Sequence, residues 1–294
     1  MLFVNQVFFE TMPRRELRKT PRERFITYQK DLHRIAQDQM DESTLLEGDQ
    51  YSYTELGDHI LDKALSSGGM DSVDLTIFSY WTPEFDPEHS AFGPYFMNKY
   101  QLKGHSFDVC DNGSLASSTA FMIADSYLTR GETQKILLLG MEQNTIPRNL
   151  KQGFPVPERS YASVALLTPE ETADSTWMLM DSGQITEWDM FQGIDAYKTV
   201  EKILATSGVC ADDVVLLTQR TGLFCKKLMF QIDSDDKKHE MEFSYLSPGV
   251  TGMNMFVTLA NQTLSNICKP FVLLIDHDVE SLRVSWSLLK KLKD

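Results

Sequence analysis

The chain has 294 residues, of which 42% are hydrophobic and 24% are charged, an ordinary composition for a folded protein with a large core. Its net charge of −14 argues against nucleic acid or an anionic membrane as a partner, because both need a basic surface. No apolar run approaches the roughly 20 residues that cross a bilayer. The four cysteines have neither metal-site nor disulfide spacing. We therefore expect a cytoplasmic protein with reduced thiols and no signal peptide.

The first hundred residues alternate predicted strands and helices. In order, these are a strand at 2–9, helices at 21–40 and 53–65, a strand at 73–80 and a helix at about 88–102. The helix at 21–40 is predicted to be amphipathic, because its apolar residues recur at spacings of three and four. Those residues are Phe25, Tyr28, Leu32 and Ile35.

Residues 107–130 predict a strand-turn-helix elbow. A short apolar strand, 107–109, enters a polar turn that contains Asn112 and Gly113, and a helix of small and apolar residues follows. Ser114 is a candidate cap for this helix. Because the start of a helix is its positive end, such an elbow often holds a nucleophile or an anion. The apolar run at 135–141 then predicts a buried strand, which completes a β-α-β unit.

The second half repeats the pattern of the first. A loop at 144–158, a strand at 160–167 and a strand at 174–188 that crosses between the halves lead to a helix at 197–207 and a strand at 214–218. The helix, glycine and strand align with the earlier helix at 53–65, Gly69 and the strand at 73–80. The remaining predictions are a solvated loop at 233–240, a helix at 249–264 and strands at 271–275 and 284–289.

Three short segments of the sequence, in this order and spacing, resemble those of a known family. They are FDV at 107–109, IADSYLTRG at 123–131 and ILLLG at 136–140. The chain resembles the thiolase-like superfamily, in particular the ketoacyl synthase III condensing enzymes. The resemblance implies an α/β protein with a duplicated thiolase-like fold, five-layered α-β-α-β-α with two mixed sheets. The predicted halves are 1–172 and 173–294.

The family's reaction uses a cysteine that accepts the acyl group, with a histidine and an asparagine that bind the thioester oxygen. By position, Gly113 stands for the cysteine, Gln219 for the histidine and Val250 for the asparagine. The family's glycine-rich C-terminal turn is replaced by Asp278-Val279-Glu280-Ser281, whose carboxylates would oppose an oxyanion. The resemblance therefore implies a site without its catalytic residues, and we expect no cofactor.

Each candidate for a substitute nucleophile or metal ligand also has a structural interpretation. Cys110 is interpreted as a structural thiol, Ser114 as a helix cap and Asp111 as a turn residue, although Ser114 or Cys110 would be the nucleophile if the chain were active. His277 lies within Asp276-His277-Asp278, but neighbouring residues of an extended segment point to opposite faces, so we predict no metal site there.

The resulting hypothesis is a non-catalytic ketosynthase III-like subunit. It pairs, as a heterodimer or heterotetramer, with an active Cys-His-Asn homologue and shapes the acyl pocket of that partner. The resemblance places such subunits in fatty-acyl, polyketide or alkylquinolone-type specialised metabolism, where this chain contacts the acyl group only through its partner. Two alternatives stay open: an active acyltransferase or hydrolase that uses Ser114 or Cys110, and a homodimer that binds a fatty-acyl ligand.

Overall fold

The computed structural model describes residues 1–15, 19–68, 70, 72–110, 112–151, 153, 155–220, 222–234, 241–246, 252–260, 269–278 and 282–293. Its strands are β1 Leu2–Thr11, β2 Leu75–Tyr80, β3 His105–Val109, β4 Ile136–Glu142, β5 Tyr161–Thr168, β6 Trp177–Ile185, β7 Val214–Thr218, β8 Glu242–Tyr245, β9 Phe271–His277 and β10 Val284–Lys291. Its α-helices are α1 Glu23–Ile35, α2 Tyr53–Ser66, α3 Phe92–Lys99, α4 Ala116–Thr129, α5 Glu187–Phe191, α6 Ala196–Thr206, α7 Leu223–Ser234 and α8 Asn254–Leu259. Among these described helices, none has both the length and the apolar character of a membrane span.

The described strands form a ten-stranded sheet in the order β3-β2-β4-β5-β1-β6-β10-β9-β7-β8. Read from its two outer edges inward, this order gives β3-β2-β4-β5-β1 and β8-β7-β9-β10-β6. In both halves the outer three strands are parallel and the inner pairings are antiparallel. The sheet therefore has the duplicated, mixed topology that the sequence predicts. The proposed boundary at residue 172 falls between β5 and β6 and stays a prediction.

The two predicted mixed sheets are the two halves of one hydrogen-bonded sheet. They meet where Leu2, Phe3 and Val4 of β1 pair antiparallel with residues 177–179 of β6. Each half thereby covers an edge strand of the other, and neither edge leaves these main-chain groups unpaired.

Five layers of secondary structure are stacked in the order predicted. Helices α4 and α8 lie between the two halves of the sheet, where the rings of Phe121 and Phe256 meet edge to face at 5.5 Å. Helices α2 and α3 cover the outer face of the first half, and α6 and α7 cover that of the second. Strands such as β4 are buried on both faces, which explains their continuous apolar sequences.

Helix α1 does not bury the apolar face that its sequence predicts. It ends at Ile35, and of its four periodic apolar residues only Phe25 is buried, against Phe85 and Leu45. Ile35 is 78% exposed. The inward face instead carries the polar Gln29, whose side-chain amide donates to the carbonyl of Phe85 at 2.7 Å. Apolar periodicity alone therefore predicts the wrong buried face for α1, because this hydrogen bond allows a polar residue to point inward.

The second half contains elements that the sequence patterns did not predict. These are helices α5 and α7 and strand β8, and α7 extends through Ser234 into the segment predicted as a loop from 233. Two adjacent lysines interrupt the apolar periodicity of α7, and β8 has only four residues. Of the helix predicted at 249–264, the described part is α8, Asn254–Leu259.

Candidate functional site

The predicted elbow is present and joins β3 to α4. The chain leaves β3 after Val109, and a short 3-10 turn at Gly113–Leu115 runs directly into α4 at Ala116. Gly113 has a φ of +55°, a conformation that glycine adopts at little cost. The N–H of Leu115 donates to the carbonyl of Asn112 at 3.1 Å and closes this turn.

The carboxylate of Asp278 fills the space in front of Gly113. A β-carbon on Gly113 would overlap Oδ2 of Asp278 and would lie 2.7 Å from its Cγ. Since any side chain at residue 113 begins with that β-carbon, none fits while Asp278 keeps this position.

Asp278 also occupies the place of an anion at the elbow. Its Oδ2 accepts a hydrogen bond from the backbone N–H of Ser114 at 2.9 Å, within the 3-10 turn that leads into α4. Asp278 is 5% exposed, so this bond forms inside the protein. The positive end of α4 is thereby matched by a carboxylate of the chain itself.

Ser114 is not the helix cap that the sequence predicted. The N-cap of α4 is Leu115, which provides no side-chain cap, and Ser114 lies inside the preceding 3-10 turn. The Ser114 hydroxyl donates to the backbone carbonyl of His277 at 3.4 Å, a long and weak hydrogen bond. Within the described residues, this hydroxyl makes no hydrogen bond to an imidazole or carboxylate that could act as a base.

Cys110 lies just beyond β3, half-buried, beside Tyr80. Burial, the charge of Asp108 and the contact with Cys110 raise the pKa of Tyr80, whose hydroxyl donates to Asp108 at 3.1 Å. Cys110 is thus more accessible than the buried structural thiol that we predicted. Asp111 lies outside the described residues.

Gln219, at the histidine position, is bound to a second buried carboxylate, that of Asp276. Oδ1 of Asp276 accepts hydrogen bonds from Gln219 Nε2 at 2.6 Å, Asn254 Nδ2 at 2.9 Å and the backbone N–H of His277 at 3.0 Å. Asp276 is 0% exposed, and burial raises its pKa to about 7 against the opposing effect of the Asn254 bond. Gln219 therefore acts here as a donor to a side chain of the same protein.

Val250, at the asparagine position, lies outside the described residues, so its place at the site stays a prediction. The nearest described part of that segment is Gly252, whose backbone N–H donates to Oε1 of the buried Glu142 at 2.6 Å. Asn254, four residues after Val250, begins α8 and reaches Asp276.

Asp276 and Asp278 lie on one side of this segment and His277 on the other, so the three side chains do not converge, as the strand alternation predicted. Asp276 faces the central helices, whereas His277 faces the outer layer, against Gly222 just before α7. Burial lowers the pKa of His277, so this imidazole is neutral at physiological pH. The described residues contain no group of three His, Cys, Asp or Glu side chains placed to hold a metal ion.

The sequence did not predict that these two aspartates contact the starts of the central helices. Asp278 was interpreted only as opposing an oxyanion, and Asp276 and Asn254 were not singled out as partners. The signal that was present is the sequence Asp-His-Asp directly after a buried strand, where carboxylates need partners inside the protein.

Comparison with known proteins finds matches among solved structures. No protein-family model matches the sequence, and no curated protein matches it. Among solved structures, the chain is similar to AbyA1, a tetronic acid condensing enzyme, with a TM-score of 0.64, 14% identity, and 99% of this chain and 100% of that chain covered. It is also similar to the C-terminal type III polyketide synthase domain of Steely1 from Dictyostelium, with a TM-score of 0.66, 9% identity and 99% of both chains covered.

A third similar structure is a single-residue variant of Xanthomonas campestris OleA with bound lauric acid and lauroyl-CoA. Its TM-score is 0.61 at 15% identity, and 98% of both chains is covered. These proteins share nearly the whole length of the chain at low sequence identity. The chain therefore has the thiolase-like, ketosynthase III-like fold of the condensing enzymes.

Proposed function

We propose that this chain is a non-catalytic ketosynthase III-like subunit that supports an active homologue in an acyl-condensing complex. The observation that carries the proposal is the Asp278 carboxylate in front of Gly113. It takes the volume in which a nucleophilic side chain would lie and the N–H group that would bind an anion there. A reaction that develops negative charge at this elbow would meet a fixed carboxylate.

The bonds of the surrounding residues support the same proposal. Gln219 and Asn254 direct their side-chain amides to Asp276, so both donors are already engaged inside the protein. The hydroxyl of Ser114 donates to a backbone carbonyl. The alternative of an acyltransferase or hydrolase that uses Ser114 or Cys110 needs a base, and no contact of the described Ser114 hydroxyl supplies one.

The partner in this proposal is a homologous subunit with an intact Cys-His-Asn site. In the family that the sequence resembles, dimers form through strands and loops of the first half. Strand β3 ends the first half of the sheet, and its residues His105, Ser106 and Asp108 are exposed. An edge strand with exposed main-chain groups is suited to pairing with a second chain. The substrate class of the complex would be an acyl thioester, as in the OleA structure with lauroyl-CoA.

Intact-protein mass spectrometry tests the proposal. The purified chain is incubated with lauroyl-CoA, and we expect no acyl mass increment. The same chain, co-expressed with a homologue that has the Cys-His-Asn residues, should copurify with it, and the acyl group should appear on the homologue alone. A stoichiometric acyl adduct on the isolated chain would contradict the proposal. Ser114→Ala and Cys110→Ala would then locate the nucleophile.

A further inference from the structure

A separate cleft lies at the carboxyl ends of β7 and β8. It has a volume of about 500 Å³ and is lined by Arg220, Cys225, Lys226, Met229 and Tyr245. Arg220 follows the end of β7, Tyr245 ends β8, and the other three residues lie on α7. Ligands of α/β proteins often bind at this edge of parallel strands. None of the five residues contacts Gly113 or Asp276 in the hydrogen bonds described above.

The charge of this cleft differs from that of the whole protein. Among the described residues, its lining includes two cations, Arg220 and Lys226, and no carboxylate. Neither cation forms an ion pair within the described residues, although the chain as a whole has a net charge of −14. Two cations beside the same cavity, with no ion pair to any other described residue, favour a bound anion.

The other walls of the cleft are aromatic or apolar. The guanidinium carbon of Arg220 lies 4.8 Å from the centre of the Tyr245 ring, a cation–π contact that holds the guanidinium beside this ring. The Tyr245 hydroxyl points to the sulfur of Met229 at 3.9 Å. Cys225 is 3% exposed, and burial raises the pKa of its thiol, so it contributes a neutral surface. The ring of Tyr245 and the side chain of Met229 therefore offer a surface on which a flat apolar group can pack.

We propose that this cleft binds a small aryl carboxylate. The carboxylate lies between Arg220 and Lys226, and the ring packs against the side chains of Met229 and Tyr245. Guanidinium groups bind planar carboxylates through two parallel hydrogen bonds, and this geometry favours Arg220 as the main anchor. The site does not depend on the proposed role of the chain in an acyl-condensing complex.

Isothermal titration calorimetry with 2-naphthoate tests the site, with 2-naphthamide as the neutral probe of the same shape. We expect saturable binding of one naphthoate per chain and much weaker binding of the amide. Arg220→Gln and Lys226→Gln should each weaken naphthoate binding roughly ten-fold or more, since each removes a charge-assisted contact. Lys227→Gln is the matched control, because Lys227 neighbours Lys226 on α7 but does not line the cleft.

Circular dichroism of each variant shows whether α7 is retained. Equal affinities for 2-naphthoate and 2-naphthamide would overturn the proposal, as would wild-type affinity of Arg220→Gln for naphthoate. Failure of the wild-type chain to bind naphthoate at millimolar concentrations would overturn it as well. If Lys227→Gln weakened binding as much as Lys226→Gln, the effect would come from the general charge of α7, and the site would be rejected.

Discussion

The two central helices begin in different ways, although one hairpin contacts both. Strand β9 carries Asp276, which contacts the first residue of α8, and Asp278, just after this strand, contacts the turn before α4. Asp278 accepts a backbone N–H, whereas Asp276 accepts side-chain amides from Asn254 and from Gln219. The first contact fills a backbone anion site, and the second connects three separate segments through a fully buried carboxylate. The two central helices, which are equivalent in the duplicated fold, thus make different contacts at their starts.

The largest expected effect concerns the charge of Asp276. Its pKa in the folded protein is about 7 and its ordinary value is 3.8, so between these pH values only the folded state holds the proton. The free energy of unfolding should therefore fall as pH rises from about 4 to about 7, by up to roughly 4 kcal/mol from this group. Asp276→Asn keeps the acceptor oxygen and removes the titrating group. The free energy of unfolding of this variant, relative to that of the wild type, should therefore rise across this pH range.

Urea denaturation of both proteins at several pH values measures that difference, in which all other titrating groups cancel. Glu84→Gln serves as a reference remote from the hairpin, because burial also raises the pKa of Glu84 to about 7. The difference in free energy of unfolding between the wild type and Asp276→Asn could instead be the same at every pH. Asp276 would then be ionised in the folded protein throughout, and the comparison of the two aspartates would fail.

The second prediction concerns the space held by Asp278. Gly113→Cys should lower the free energy of unfolding by about 2–3 kcal/mol, because the new β-carbon overlaps the Asp278 carboxylate. The double variant Gly113→Cys/Asp278→Gly should recover part of that loss, since the carboxylate is then absent. Urea denaturation of the two single variants and the double variant completes a double-mutant cycle. Additive effects would show that the two positions do not share one space.

The third prediction concerns Gln219. Gln219→Met keeps the length of the side chain and removes the amide that donates to Asp276, so we expect a loss of about 1–2 kcal/mol above pH 7. The loss should shrink at pH 5, where Asp276 is protonated and needs fewer donors. Chemical denaturation at both pH values measures this. A loss that is the same at both would indicate a packing effect of residue 219 and not a bond to a carboxylate.

The smallest expected effect is that of Ser114→Ala, about 0.5 kcal/mol or less, because its hydroxyl makes only a 3.4 Å bond and does not cap α4. Ser52→Ala is the matched comparison, since Ser52 caps α2 in a full capping box with Glu55, and its loss should cost about 1 kcal/mol. Thermal denaturation ranks the two variants. A larger effect at Ser114 than at Ser52 would show that Ser114 has a role beyond its weak bond.

The fold was largely predictable because its buried strands are read from local sequence. Apolar runs such as those of β4 and β7 are buried on both faces and bounded by turn residues, so their positions follow from composition alone. The elbow was found for the same reason, from a short strand, a glycine turn and a helix of small residues. The resemblance to condensing enzymes then supplied the order of the layers.

The candidate site was less predictable because its contacts are distant in sequence. Ser114 and the carboxylate it binds are 164 residues apart, and no local pattern records that pairing. The replacement of a glycine-rich turn by Asp278 was visible, but its consequence for Gly113 depends on where the β9–β10 hairpin packs. The prediction of the buried face of α1 was wrong for a related reason, since the inward position of Gln29 depends on the distant carbonyl of Phe85.

The overlap between residues 113 and 278 also constrains how this sequence can evolve. A cysteine at residue 113 alone meets the carboxylate, whereas removal of the carboxylate alone leaves the elbow with no thiol. Each single step is thus either harmful or without benefit, and only the pair of changes opens the position. Natural selection acting on one codon at a time would rarely cross that barrier, so descendants of this chain are expected to keep both residues together.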